Sequence, residues 1–141
     1  MSPSRLEAFS DGVFAIAITL LVLEIHVPDP ESTASLADAL AEQWPSYAAY
    51  VVSFLTIGII WINHHVMIRR LRAIDHRIMV WNLLLLLSVR VLPFTTALLA
   101  AYLREGQGSE LAAAIYGGSL LAMSLIFAAT KGTSCSPSRC C

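Results

Sequence analysis

The residues best able to do chemistry in this chain are polar groups set inside otherwise apolar runs. Arg5, Phe9, Ser10 and Asp11 open the first run, and Trp61, Asn63, His64 and His65 close the second. The third carries Asn82, Arg90 and Pro93. Two readings fit the first group. Arg5 and Asp11 can belong to a charged cluster at the end of a helix, or Ser10 and Asp11 can cap free N–H groups where a helix starts. His64 and His65 are adjacent, so their rings point about 100° apart on a helix and do not make the i, i+4 pair that chelates a metal. No metal site is expected from them. Asn63 and His64 need protein partners if the run crosses lipid, and Trp61 suits a membrane interface or a polar network. Arg90 falls near the middle of its run and is expected to find a protein partner or to snorkel. Pro93 removes the hydrogen bond to the carbonyl of residue 89 and predicts a kink.

No enzyme constellation accompanies these groups. The sequence lacks a Walker loop, GxGxxG, HExxH and GxSxG. The three cysteines, Cys135, Cys140 and Cys141, all fall in the last seven residues without a second ligand pair, so no structural zinc site is expected.

The elements that must position these residues follow from composition. Of the 141 residues, 57% are hydrophobic and 13% charged, against about 25% charged in soluble chains. A net charge of −1 argues against a nucleic-acid partner. Four apolar runs cover 9–27, 47–67, 78–101 and 111–129. At about 1.5 Å per residue, each crosses a hydrocarbon layer of about 30 Å. Four strands cannot close a membrane barrel, so the expected fold is an all-α integral membrane protein with four transmembrane helices. The first run lacks a cleavage site and is not read as a signal peptide.

Charge sorts the connections. Residues 28–44 contain four acids and no Lys or Arg, whereas 69–77 contain four arginines and one Asp. The positive-inside rule then places both termini and the 69–77 loop in the cytoplasm. Residues 32–41 allow a short helix outside the membrane, with Ser35 placed to cap it. Residues 106–109 read as a tight turn. Gly118 and Ala122 form a small-xxx-small pair on the fourth run. The domain division is a transmembrane part over 1–130 and a disordered, Cys-containing tail over 131–141.

Within the first run, Ile16, Leu20 and Leu23 fall at i, i+4 and i+7 and share a face. That face can meet lipid or another helix, or form stacked apolar rings about a symmetry axis. The hydroxyl of Thr19 is expected to bond back to the i−4 carbonyl.

The motif R-x-x-x-F-S-D from Arg5 to Asp11, supported by W-x-N-H-H from Trp61 to His65, resembles the prokaryotic relatives of the lysosomal potassium channel TMEM175. The resemblance covers about residues 3 to 129. It implies a cation channel without the carbonyl filter loop of ordinary potassium channels, and the chain has no TVGYG-like segment. It implies a homotetramer in the cell membrane, with the first helix of each subunit around a central pore and K+ as the permeant ion. No cofactor is implied. Residue by residue, it implies a principal constriction at Ile16, further apolar rings at Leu20 and Leu23, and a selectivity hydroxyl at Thr19. A structural network of Arg5, Phe9, Ser10, Asp11, Trp61, Asn63 and His64 would hold the pore helix. The family unit has six helices, so the chain reads as a short form lacking the last two. A non-conducting membrane oligomer is the competing expectation, followed by a small transporter or membrane enzyme.

Overall fold

The computed structural model describes residues 3–29, 35–71, 75–106 and 108–134, excepting the side chains of Pro3, Arg104, Glu105 and Ser134. The order is α1 (Pro3–Leu21), a 3-10 turn (Val22–Glu24), α2 (Leu36–Glu42), α3 (Trp44–Arg69), α4 (His76–Glu105) and α5 (Ser109–Ser134). Among the described residues, four spans are long and apolar enough to cross a membrane: Ser4–Glu24, Trp44–Arg69, His76–Leu103 and Ser109–Thr133. Each contains one of the four runs expected from sequence, apart from the last three residues of the first, which lie beyond the 3-10 turn.

Local chemistry sets the boundaries. Ser35 caps α2, its Oγ accepting from the Asp38 amide at 3.2 Å and donating to the Asp38 carboxylate at 2.6 Å. Asp75 caps α4 by accepting from the His76 amide at 2.7 Å. Gly106 ends α4 with φ 76°, a left-handed conformation that favours glycine. Gly108 also has a positive φ, and a Cβ there would meet the Tyr102 ring at 3.2 Å. α4 runs unbroken through the buried Pro93.

Two boundaries differ from expectation. α1 begins at Pro3, so Ser10 and Asp11 sit in mid-helix and do not cap it. α5 continues to Ser134, four residues beyond the expected domain end. Back-bonds from Thr130 to the Ile126 carbonyl and from Thr133 to that of Ala129 accompany this extension. The cysteines at 135, 140 and 141 lie outside the described residues, as do Arg72 in the arginine-rich loop and Gln107 in the turn.

α4 is the hub. It packs on α1, α3 and α5, while α1 packs on α3 and α4. Phe14, Ala17 and Leu21 of α1 meet Ile57 and Ile60 of α3, Leu85, Leu86, Val89 and Leu92 of α4, and Tyr116 and Met123 of α5 in one core. A smaller cluster of Leu6, Met67, Ile68, Leu71 and Ile78 closes the near end, where α1 starts, α3 finishes and α4 starts. The α5 span is 11% buried against 44% for α4, so α5 contributes mainly a surface.

Candidate functional site

α1 has two faces. Leu6, Ser10, Phe14, Ala17 and Leu21 recur at steps of four, four, three and four and are buried against α3 and α4. On the other side Phe9 and Ile16 are 51% and 50% exposed, Leu23 is 71% exposed, and Thr19 is exposed. Leu20 lies between the faces and is half-buried. The Thr19 hydroxyl donates to the Ile16 carbonyl at 2.9 Å, one residue nearer than expected.

One polar side chain lies on the buried face. Ser10 accepts from Asn82 Nδ2 of α4 at 3.1 Å. Asn82 Oδ1 lies 2.6 Å from His64 Nε2 of α3. An amide oxygen only accepts, so His64 carries its proton on Nε2. All three residues are buried, and the Phe14 ring lies against His64 with centroids 5.4 Å apart. Three helices thus share one hydrogen-bonded knot. Leaving such a group unpaired costs about 1–3 kcal/mol.

A second, half-buried group lies on the same end. Trp61 Nε1 donates to Asp11 Oδ1 at 2.9 Å. His65, one turn along α3, brings Nδ1 to 3.2 Å from Glu7 Oε1 and 3.8 Å from Asp11 Oδ2. The Trp61 and His65 rings are tilted with centroids 5.7 Å apart.

The structure therefore brings Ser10, Asp11, Trp61 and His64 together at the near end, in two adjoining groups. It does not bring in three others expected there. Arg5 is exposed and makes no ion pair among the described residues, because α1 starts early and carries its side chain to the surface. Phe9 faces outward, about 100° around the helix from the buried Ser10. Asn63 is exposed and donates to the Ile59 carbonyl of its own helix at 2.8 Å. Asn82, Glu7 and His65 take their places. Asn82 was legible by depth: it lies six residues into α4, level with Ser10 at the same end. Glu7 and Asp11 carry the i, i+4 signal of a shared face.

Arg90 is exposed on α4 and has no ion pair among the described residues. In the half of the bundle away from the near end, Ser53 Oγ lies 2.7 Å from Thr96 Oγ1 and 2.9 Å from the Tyr116 hydroxyl, and Thr95 lies 3.2 Å from Ser119. Sequence reasoning missed this hydroxyl cluster, since single Ser and Thr residues in helices usually bond back to their own backbone.

A family model described as "Endosomal/lysosomal potassium channel TMEM175" matches residues 5–93. A potassium channel of Streptomyces collinus is 55% identical over 125 residues, covering 89% of this chain and 61% of that protein. One of Chamaesiphon minutus is 50% identical over 125 residues, covering 87% and 61%. The human endosomal/lysosomal proton channel TMEM175 is 38% identical over 113 residues, 74% of this chain and 22% of its own length. The crystal structure of a lysosomal potassium-selective channel TMEM175 homolog from Chamaesiphon minutus superposes with a TM-score of 0.87 at 47% identity, covering 91% of this chain and 69% of that one. The chain spans 61% of the length of the two bacterial relatives. With α3 and most of α1 and α4 inside the matched region and four apolar spans among the described residues, the chain is a multi-pass membrane protein that belongs to the TMEM175 family.

Proposed function

We propose that the chain forms a K+-permeable cation channel as a homotetramer, with α1 of each subunit facing the axis and Ile16 at the constriction. Thr19, Leu20 and Leu23 line the path beyond it. The observation that carries this reading is the division of α1. One face is packed without gaps in residue spacing, and the other leaves Ile16, Thr19 and Leu23 uncovered by their own protomer. Four such faces around an axis make apolar rings, which gate by excluding water until they widen. Both termini and the arginine-rich loop lie on the cytoplasmic side, following the charge asymmetry. The network at Ser10, Asp11, Trp61 and His64 then sits at the cytoplasmic end, holding the pore helix without touching the ion. The bacterial relatives named as potassium channels are more similar to the chain than the human relative named as a proton channel, which favours K+ as the permeant ion.

The test is K+ flux from liposomes carrying the purified chain. Wild-type protein conducts K+, and Ile16→Asn raises flux by at least about tenfold by hydrating the constriction. A helical protein without K+ flux, or flux indifferent to this change, overturns the reading. A second reading is a non-conducting membrane oligomer. It draws support from α5, whose span is 11% buried and presents an apolar surface that assembly would cover without a conducting path. Native mass in detergent separates the two: a tetramer supports the channel, and a monomer or dimer supports the alternative.

A further inference from the structure

Glu7, Asp11 and His65 place one donor atom each within 4.8 Å of one another, at the near end between α1 and α3. We infer that they bind a divalent first-row transition-metal ion that bridges the two helices.

The geometry comes first. Metal–donor bonds of about 2.1 Å at angles of about 90–110° put neighbouring donors about 3.0–3.4 Å apart. His65 Nδ1 lies 3.2 Å from Glu7 Oε1 and 3.8 Å from Asp11 Oδ2. The first distance already matches, and the second closes by a small side-chain rotation. Glu7 and Asp11 are one helical turn apart, so one face of α1 presents both carboxylates to α3.

The partners of each donor point the same way. His65 Nδ1 is shielded from solvent yet has no hydrogen bond, although two carboxylates face it. Among the described residues, no Lys or Arg pairs with either carboxylate. Two negative groups therefore stand against a single imidazole, a deficit of positive charge that a divalent ion fills. Trp61 donates to Asp11 Oδ1, which fixes the carboxylate and leaves Oδ2 directed to the site. Metal ligands are typically oriented by such outer hydrogen bonds.

The donor set selects the ion class. Two carboxylates and one imidazole without sulfur suit Mn2+, Fe2+, Co2+, Ni2+ and Zn2+ better than a thiophilic ion, and the imidazole disfavours Ca2+ and Mg2+. Three protein donors leave further positions for water. All three side chains are partly exposed, so the ion has a route in. Binding clamps α1 to α3 and does not depend on what the chain conducts.

The experiment titrates the full chain in detergent with Mn2+, following free Mn2+ by its electron paramagnetic resonance signal. One Mn2+ per chain binds saturably, and the bound ion shows a nitrogen coupling from His65. Glu7→Gln and His65→Gln each weaken binding by at least about tenfold, and His65→Gln removes the nitrogen coupling. Trp61→Phe weakens binding less. Cys135→Ser, Cys140→Ser and Cys141→Ser together leave it unchanged. Absence of saturable binding, or of nitrogen coupling in the wild-type protein, overturns the inference. So does binding unaffected by Glu7→Gln and His65→Gln, or binding lost with the tail cysteines. The wild-type coupling decides the matter even if a variant fails to fold.

Discussion

The two ends of this bundle are held by different chemistry. At the near end, α1 meets its neighbours through a hydroxyl, an amide, an indole, two imidazoles and two carboxylates: Ser10 with Asn82 and, through it, His64, and Asp11 with Trp61, by hydrogen bonds, and Glu7 with His65 as an ion-pair contact. Farther along, the side-chain hydrogen bonds that join different helices, among the described residues, run between hydroxyls, Ser53 with Thr96 and Tyr116 and Thr95 with Ser119, and they join α3, α4 and α5 without touching α1. Beyond Asp11, among the described residues, Phe14, Ala17 and Leu21 hold α1 by apolar packing, and Thr19 bonds only to its own helix. Hydrogen bonds are directional and fix a register. Apolar contacts tolerate sliding and rotation so long as area and volume are kept. The near end of α1 is thus an anchor, and the segment that carries Ile16, about 9 Å beyond Ser10, is held less stiffly. In the proposed channel, a ring at Ile16 would widen while the helix stays attached at its anchor.

The largest expected effect breaks the packed part of the comparison. Phe14 is 1% exposed and touches both the core and the His64 ring. Phe14→Ala leaves a cavity at the junction of anchor and shaft and destabilises the protomer by about 3 kcal/mol. Unfolding in mixed micelles, followed by far-ultraviolet circular dichroism, measures it. A cost below that of the Asn82 change would put the directional bonds, not the packing, first.

Next comes the anchor. Asn82→Leu leaves the His64 Nε2–H and the Ser10 hydroxyl without their shared partner and costs about 2 kcal/mol by the same measurement. Pairing it with Ser10→Ala gives less than the sum of the single changes, because both remove the same bond. Strict additivity would show that Ser10 and Asn82 do not share a hydrogen bond. In the hydroxyl cluster, Ser53→Ala costs about 0.6 kcal/mol, the usual size of a hydrogen bond between membrane helices. Thr96 keeps its bond to the Leu92 carbonyl, which limits the loss. An anchor change no larger than this one would erase the distinction between the ends.

The sequence makes some of this plain and hides the rest for physical reasons. The spans were legible because lipid demands long apolar runs, and the α2 cap was legible because Ser35 stands three residues before Asp38. Ser10, Asp11, Trp61 and His64 were legible as polar groups too costly to leave in hydrocarbon. Their pairing was not, because it depends on helix rotation and on where α1 begins. Starting at Pro3 and not near Phe9, α1 makes Ser10 a packing residue and excludes capping. Rotation alone separates His64, buried on Asn82, from Asn63, exposed beside it.

Asn63 gives the smallest predicted effect and the sharpest test of what the anchor contains. Its side chain returns to the Ile59 carbonyl of α3, a bond internal to one helix that water or lipid headgroups can replace. Asn63→Ala therefore shifts protomer stability by less than about 0.5 kcal/mol, as exposed substitutions do. The same holds for Arg5→Gln, since Arg5 is exposed and unpaired among the described residues. If either change cost as much as Asn82→Leu, the anchor would extend beyond the groups on the buried face of α1. A loss confined to the oligomer, with protomer unfolding unchanged, would instead place Arg5 and Asn63 between subunits. Their sequence motifs would then mark assembly, and the buried trio of Ser10, His64 and Asn82 would mark the fold of the single chain.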